Sequence, residues 1–178
     1  MDVSWKSIHS HQHMVTIPVP GALGAFVARM GHRVLTCYYW ALRPVTVGVK
    51  TLLVSEAQEV LLVRHTYRPG WHIPGGKLGR GESVAEAAAR ELYEEVGIRA
   101  VIEPKSILGV FQNRVQFKHD HVVLFHVKEW EKGPLKPCAW EIAEAKFFPL
   151  TKLPEDVSPG TRRRLAEFLG TRTPDFSW

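Results

Sequence analysis

Apolar and polar positions change rhythm several times along the chain, and each change marks an element. Residues 44–54 (PVTVGVKTLLV) are β-branched and mostly apolar, which predicts a buried strand. Residues 55–59 are a polar turn and 60–64 (VLLVR) return as a second strand, so the two read as a hairpin. Residues 71–73 form a short extended piece that runs into Pro74-Gly75-Gly76. The period then shifts to that of a helix. Ala85, Ala88, Ala89, Leu92 and Val96 recur at helical spacing and predict an inward face. Ser83 and Glu86 form an S-x-x-E capping box at its start, and Gly97 suits a left-handed stop at its end. Residues 100–103 begin a strand that Pro104 breaks. Residues 107–115, with a bend at Gly109, and 121–130 read as longer strands, and 146–150 as a short closing one. Residues 158–169 predict an amphipathic helix with Leu165, Phe168 and Leu169 inward and Arg162–Arg164 largely outward.

Hairpins around one long central helix predict an α/β fold, or α+β in the mixed-sheet sense, with helices packed on a mixed sheet. One domain is expected over residues 43–170. Residues 1–20, which carry His9, His11 and His13, read as a poorly ordered tail rather than a metal site. Residues 21–42 place Leu23, Phe26, Val27, Met30, Val34 and Leu35 opposite Arg29, His32 and Arg33. This predicts an amphipathic helix packed on the domain or on the partner of a homodimer. Residues 171–178 are expected to be a C-terminal tail.

Charge narrows the partners. The net charge is +5, and the basic residues are spread along the chain with a run only at 162–164. That suits a small anionic substrate and argues against nucleic acid, since no basic stripe is interleaved with aromatics. No apolar run is long enough to span a membrane, and the N-terminus lacks a secretory h-region. Cys37 and Cys138 are isolated, with no C-x-x-C, so a zinc site is not expected and the reducing cytoplasm is the simplest compartment.

The chemistry concentrates in residues 76–98. Glu91, Glu94 and Glu95 stand at i, i+3 and i+4 of the predicted helix and share a face. A solvated acidic face is the ordinary meaning of such a group. Three clustered carboxylates weaken a helix, however, and Arg90 offsets only part of that. A hard divalent cation offsets it better, because Mg²⁺ takes oxygen ligands and a substrate phosphate. The spacing favours the second meaning: Gly76, five residues, Glu82, seven residues, Arg90-Glu91-Leu92, one residue, Glu94-Glu95, one residue, Gly97-Ile98.

This pattern resembles the Nudix box at every defined position. The similarity extends through LLVRHTYRPGWHIPGGK, DHVVLFHV and EIAEAKFFPLTKLP, roughly residues 44–169. The resemblance implies an α/β/α sandwich and hydrolysis of a nucleoside diphosphate linked to another moiety, with Mg²⁺ or Mn²⁺. By the same resemblance Glu91, Glu94 and Glu95 are metal-binding and base-forming glutamates, Glu82 an accessory ligand, and the Gly76 carbonyl part of the ligand set. Arg90 would orient the helix carboxylates. The general base is a box glutamate or one from a later loop, where Glu141 leads and Glu144 is second. Arg68 and Lys77 lead the phosphate contacts, with Arg64, Arg80, Arg114 and Lys118 behind them. His65, His72, His119 and His121 read as structural before catalytic, and Trp71 and Phe111 as packing before base-stacking. A nucleotide sugar or ADP-ribose is the favoured substrate type. An RNA 5′-end pyrophosphohydrolase, a non-catalytic nucleotide-binding domain and an isoprenoid diphosphate isomerase are the alternatives.

Overall fold

The computed structural model describes residues 45–113 and 119–178, together with 30–31, 33–35 and 37. The expected tail at 1–20, most of the helix expected at 21–42, Arg114 and Lys118 lie outside the described residues. Within 21–42 the described positions are helical, and Met30, Val34 and Leu35 of the expected apolar face are exposed.

Among the described residues from 45 on, six strands and two helices follow in order: β1 (Val45–Leu53), β2 (Glu59–His65), β3 (Trp71–His72), α1 (Val84–Val96), β4 (Ile107–Asn113), β5 (His119–Val127), β6 (Ile142–Pro149) and α2 (Pro159–Phe168). A short 3₁₀ turn, Pro104–Ser106, precedes β4. The strands form two three-stranded sheets, ordered β1-β5-β4 and β3-β2-β6. The first is mixed: β1 runs parallel to β5, and β5 antiparallel to β4. The second is antiparallel.

The expected hairpin between β1 and β2 is therefore not a paired ladder. The two strands meet only through a bridge between Val54 and Val60, beside the bond from the Ser55 N–H to the Glu59 carbonyl. Residues 100–103 form no strand either; Ala100 makes an isolated bridge to Trp130.

Side chains alternate between two cores, as the two-residue period of a strand demands. On β2, Leu61 and Val63 pack under α1 with Val49, Leu53, Leu92 and Phe125, while Val60 and Leu62 pack on the α2 side with Trp71, Ile73 and Leu165. The result is an α/β/α arrangement, one helix to each face. Helix α1 starts as its sequence dictates: the Ser83 hydroxyl accepts from the Glu86 N–H, the Glu86 carboxylate accepts from the Ser83 N–H, and Gly97 ends the helix at φ 74°. Its buried face is Ala87, Ala88, Leu92, Glu95 and Val96, rotated from the expected one, so Ala85 and Ala89 are only half-buried. On α2, Leu165 is buried as expected, but Leu169 is exposed and Arg164 is buried. Arg164 pairs with Glu167 at 2.6 Å and lies 4.0 Å over the Phe111 ring. Beyond α2 the chain returns to β4. The Gln112 N–H donates to the Phe176 carbonyl, the Trp178 N–H donates to the Gln112 carbonyl, and the Trp178 indole packs on Gly160.

Candidate active site

Five segments converge at the inner half of α1. They are β1 at Lys50, the end of β2 with the loop after it, the Pro74-Gly75-Gly76 turn, α1 itself, and Glu141 just before β6. Two glycines allow the approach. Gly75 sits at φ 128°, and any side chain there would strike the Val49 carbonyl and the Lys50 backbone. A side chain on Gly76 would fall on the Glu91 carboxylate. The turn is then tied on both sides. The Gly75 N–H donates to Glu95 Oε2 at 2.8 Å, and Lys50 Nζ donates to the Gly75 carbonyl. The Gly76 carbonyl accepts from the Val49 N–H at 2.9 Å, so its strongest contact is to β1.

The three helix glutamates have different surroundings. Glu95 is buried, and desolvation raises its pKa against the pull of Lys50 and the Gly75 N–H. Glu91 is mostly buried, and desolvation again raises its pKa against Arg90. Glu94 is 57% exposed and reaches sideways to Arg90.

Arg90 organises the outer rim. Its Nε and Nη2 grip Glu82 at 2.5 and 3.0 Å, Nη1 donates to Glu91 and Glu94 at 2.9 Å each, and Nη2 also reaches the Lys77 carbonyl at 3.1 Å. These bonds hold the guanidinium well above its ordinary pKa, Glu82 contributing most. Glu82 is held below the usual carboxylate value by Arg90 and by the Gly79 N–H, 2.7 Å away.

The inner rim is His65, Tyr67, Arg68 and Glu141. Arg68 Nη2 lies 2.8 Å from His65 Nε2. A guanidinium only donates, so Nε2 accepts and the ring hydrogen is assigned to Nδ1. Nδ1 lies 4.0 Å from Glu141 Oε1, beyond hydrogen-bond reach, and that oxygen accepts from the Tyr67 hydroxyl at 3.1 Å. His65 Nε2 is 3.8 Å from Glu95 Oε1. His65, Glu95 and Glu141 bring three ligand atoms within 4.8 Å of one another, a cluster that can coordinate a divalent cation when Arg68 gives up His65 Nε2. The donors fit Mg²⁺ or Mn²⁺: oxygens dominate, and Mn²⁺ accepts an imidazole.

Burial, followed by Arg68, Lys50 and His72, pushes the His65 pKa down to about 2, so the ring is neutral. The unfolded ring titrates at 6.5. Its contribution to stability is complete above that value and is lost as pH falls below it, by up to ~1.4 kcal/mol per pH unit. Replacing His65 by Gln removes this term and leaves the titrating carboxylates in place. The stability difference between wild type and His65→Gln is therefore expected to shrink between pH 7 and pH 5. Urea denaturation of the two proteins in chelator checks it; a constant difference contradicts it.

Other expected residues lie elsewhere. Arg64 pairs with Asp156 at 3.0 Å and Glu144 at 3.6 Å and stacks over Trp71. Glu144 bonds Lys146 at 2.5 Å, away from the carboxylate cluster. The Lys77 side chain is exposed beside the rim that its own carbonyl helps to build. Trp71 is buried edge-on to Phe148, as expected of a packing residue, and Phe111 is buried on the α2 side. Cys37 and Cys138 are free and exposed. Two members of the site escaped the sequence reading. Tyr67 carries no pattern of its own. Lys50 did leave a signal, as a lysine in the middle of an apolar strand.

A model of the NUDIX domain matches residues 43–168. The chain belongs to the NUDIX family. The chain is 32% identical over 123 residues to a Bacillus subtilis protein provisionally named 8-oxo-dGTP diphosphatase, covering 69% of this chain and 79% of that protein. It is 28% identical over 151 residues to the NAD-capped RNA hydrolase NudC of Chromobacterium violaceum, covering 82% of this chain and 53% of the relative. It is 31% identical over 107 residues to the ADP-ribose pyrophosphatase of Methanocaldococcus jannaschii, covering 58% and 62%. Among solved structures, the MutT protein of Methanosarcina mazei Go1 superposes with a TM-score of 0.62 at 27% identity, over 72% of this chain and 95% of that one. No helix among the described residues is long and apolar enough to cross a membrane.

Proposed function

We propose that this protein hydrolyses the diphosphate linkage of a nucleoside diphosphate derivative, with Mg²⁺ or Mn²⁺, and that its substrate is of the ADP-ribose or nucleotide-sugar type. The observation that carries this is the His65–Glu95–Glu141 cluster, with Glu95 of α1 tied to the Gly75-Gly76 turn, in a NUDIX domain. The named relatives are a diphosphatase, an RNA-cap hydrolase and a pyrophosphatase, and they differ in the substrate named. The substrate type rests on the name of the Methanocaldococcus relative, an ADP-ribose pyrophosphatase, and on the general habit of the family.

In this reading Glu91 and Glu95 hold the cation, Glu94 completes the set by turning inward from Arg90, and Glu82 serves as an outer ligand. The Gly76 carbonyl retains a free lone pair for the same role. A cation held there would neutralise phosphoryl oxygens and lower the pKa of an attacking water. Glu141 is the carboxylate placed to accept a proton as general base. Tyr67 aims its carboxylate and neutral His65 stands beside it, so the base is positioned before substrate arrives. Arg68 and Lys77, on opposite sides of the cluster, hold the diphosphate.

The test is incubation with a panel of ADP-ribose, nucleotide sugars, oxidised nucleoside triphosphates and NAD-capped RNA, each with Mg²⁺, Mn²⁺ or chelator, with products identified by mass. The expected result is metal-dependent release of a nucleoside monophosphate and a phosphorylated second moiety. Cleavage of the RNA alone would replace the small-molecule reading. No turnover with metal bound would make this a nucleotide-binding domain.

A further inference from the structure

Lys50 is the outlying residue of β1. Its neighbours Val49, Thr51, Leu52 and Leu53 are all fully buried, and a cation placed among them needs compensation. It finds that compensation at the turn, where Nζ donates to the Gly75 carbonyl. Gly75 in turn donates its N–H to Glu95, so one glycine links the ammonium to the most buried carboxylate of the cluster. Glu95, Glu91 and Glu141 all favour the charged ammonium, while burial and Arg68 oppose it, and the balance lowers its pKa to about 8. Lys50 thus touches a carbonyl of the turn and acts electrostatically, at a distance, on the same carboxylates that would hold a divalent cation.

We propose that Lys50 is the resident cation of this site: its ammonium holds the Gly75 carbonyl and balances Glu91, Glu95 and Glu141, and a divalent ion binds by displacing it. The inference rests on the metal-dependent reading above. It explains how the apo protein keeps three acidic groups together around a turn. It also makes Lys50 a competitor of the metal, since two cations cannot both draw fully on one set of carboxylates.

The test is Mn²⁺ binding to the full chain without substrate, followed by the electron paramagnetic resonance of the free ion. Lys50→Met is expected to bind Mn²⁺ about tenfold more tightly than wild type, and Lys50→Arg to stay near wild type, because a fixed charge close to the ion opposes it. A second measurement needs no variant to fold: the side-chain ¹⁵N signal of Lys50 in the wild-type protein should shift when Mg²⁺ is added. Equal or weaker Mn²⁺ affinity in Lys50→Met, or a Lys50 signal that ignores saturating Mg²⁺, overturns the role of Lys50 and leaves the metal-dependent reading standing. Absence of Mn²⁺ binding in wild type and variants alike overturns both.

Discussion

Glu95→Gln is expected to lower turnover by about 10³-fold or more while the protein stays folded, because an electrostatic contact at the reacting centre is lost and the architecture around it is not. The geometry explains the separation. Glu95 Oε2 accepts the Gly75 N–H at 2.8 Å, and a glutamine carbonyl accepts the same bond. The Gly75-Gly76 turn should keep its place against α1. Removing a buried carboxylate charge relieves the desolvation that raises the Glu95 pKa but takes a counter-charge from Lys50, so the apo variant should melt close to wild type. What disappears is the negative charge best shielded from water. Steady-state kinetics and thermal melting of Glu95→Gln in chelator check the two halves separately. Activity within tenfold of wild type would remove Glu95 from the cation-binding set.

Arg90→Ala should show a different signature, a loss of stability that metal restores. Arg90 alone draws Glu82, Glu91 and Glu94 together. Without it three carboxylates face one another across the start of the loop and the middle of α1, and the Lys77 carbonyl loses a donor. The guanidinium is one-third exposed, so water screens part of the effect, and a loss of about 1–2 kcal/mol is expected in chelator. A divalent ion binding those carboxylates only in the folded state recovers stability by mass action. The melting difference between wild type and Arg90→Ala should therefore narrow as Mn²⁺ is raised. A difference that ignores Mn²⁺ would mean that Arg90 acts on packing alone.

The local elements were legible in the chain because their signals are local. The Ser83–Glu86 box and Gly97 bracket α1 in the sequence, and they do so in the fold. Residues 60–64 read as a strand, and in the fold β2 lies between two cores. Pairing was not legible. An apolar strand followed by a polar turn and another apolar strand predicts a hairpin, yet β1 pairs in parallel with β5, more than seventy residues away. Both partners offer β1 the same hydrophobic face, and nothing local distinguishes them.

The site's chemistry was visible as spacing, but its depth was not. A rule that puts glutamates outward and alanines inward sets the α1 face at Ala85 and Ala89. The fold turns the helix so that Glu91 and Glu95 point in, and Ala87 takes the buried place. Arg164 shows the same principle on α2: a run of three arginines reads as a solvated face until Glu167 and the Phe111 ring give one of them an interior partner. Lys50 and Tyr67 act through neighbours that only the tertiary structure supplies.

The return of the chain to β4 bears on how the protein behaves in a crowded solution. β4 is the outermost strand of its sheet and exposes Ile107, Leu108 and Val110. A free edge with such side chains is a template on which another chain can build a cross-strand ladder and aggregate. The backbone of Phe176–Trp178 takes up the donor and acceptor of Gln112, and Arg163 fastens the Trp178 carbonyl. Those last residues occupy part of the template, so they guard the solubility of the fold from a position far from its chemistry.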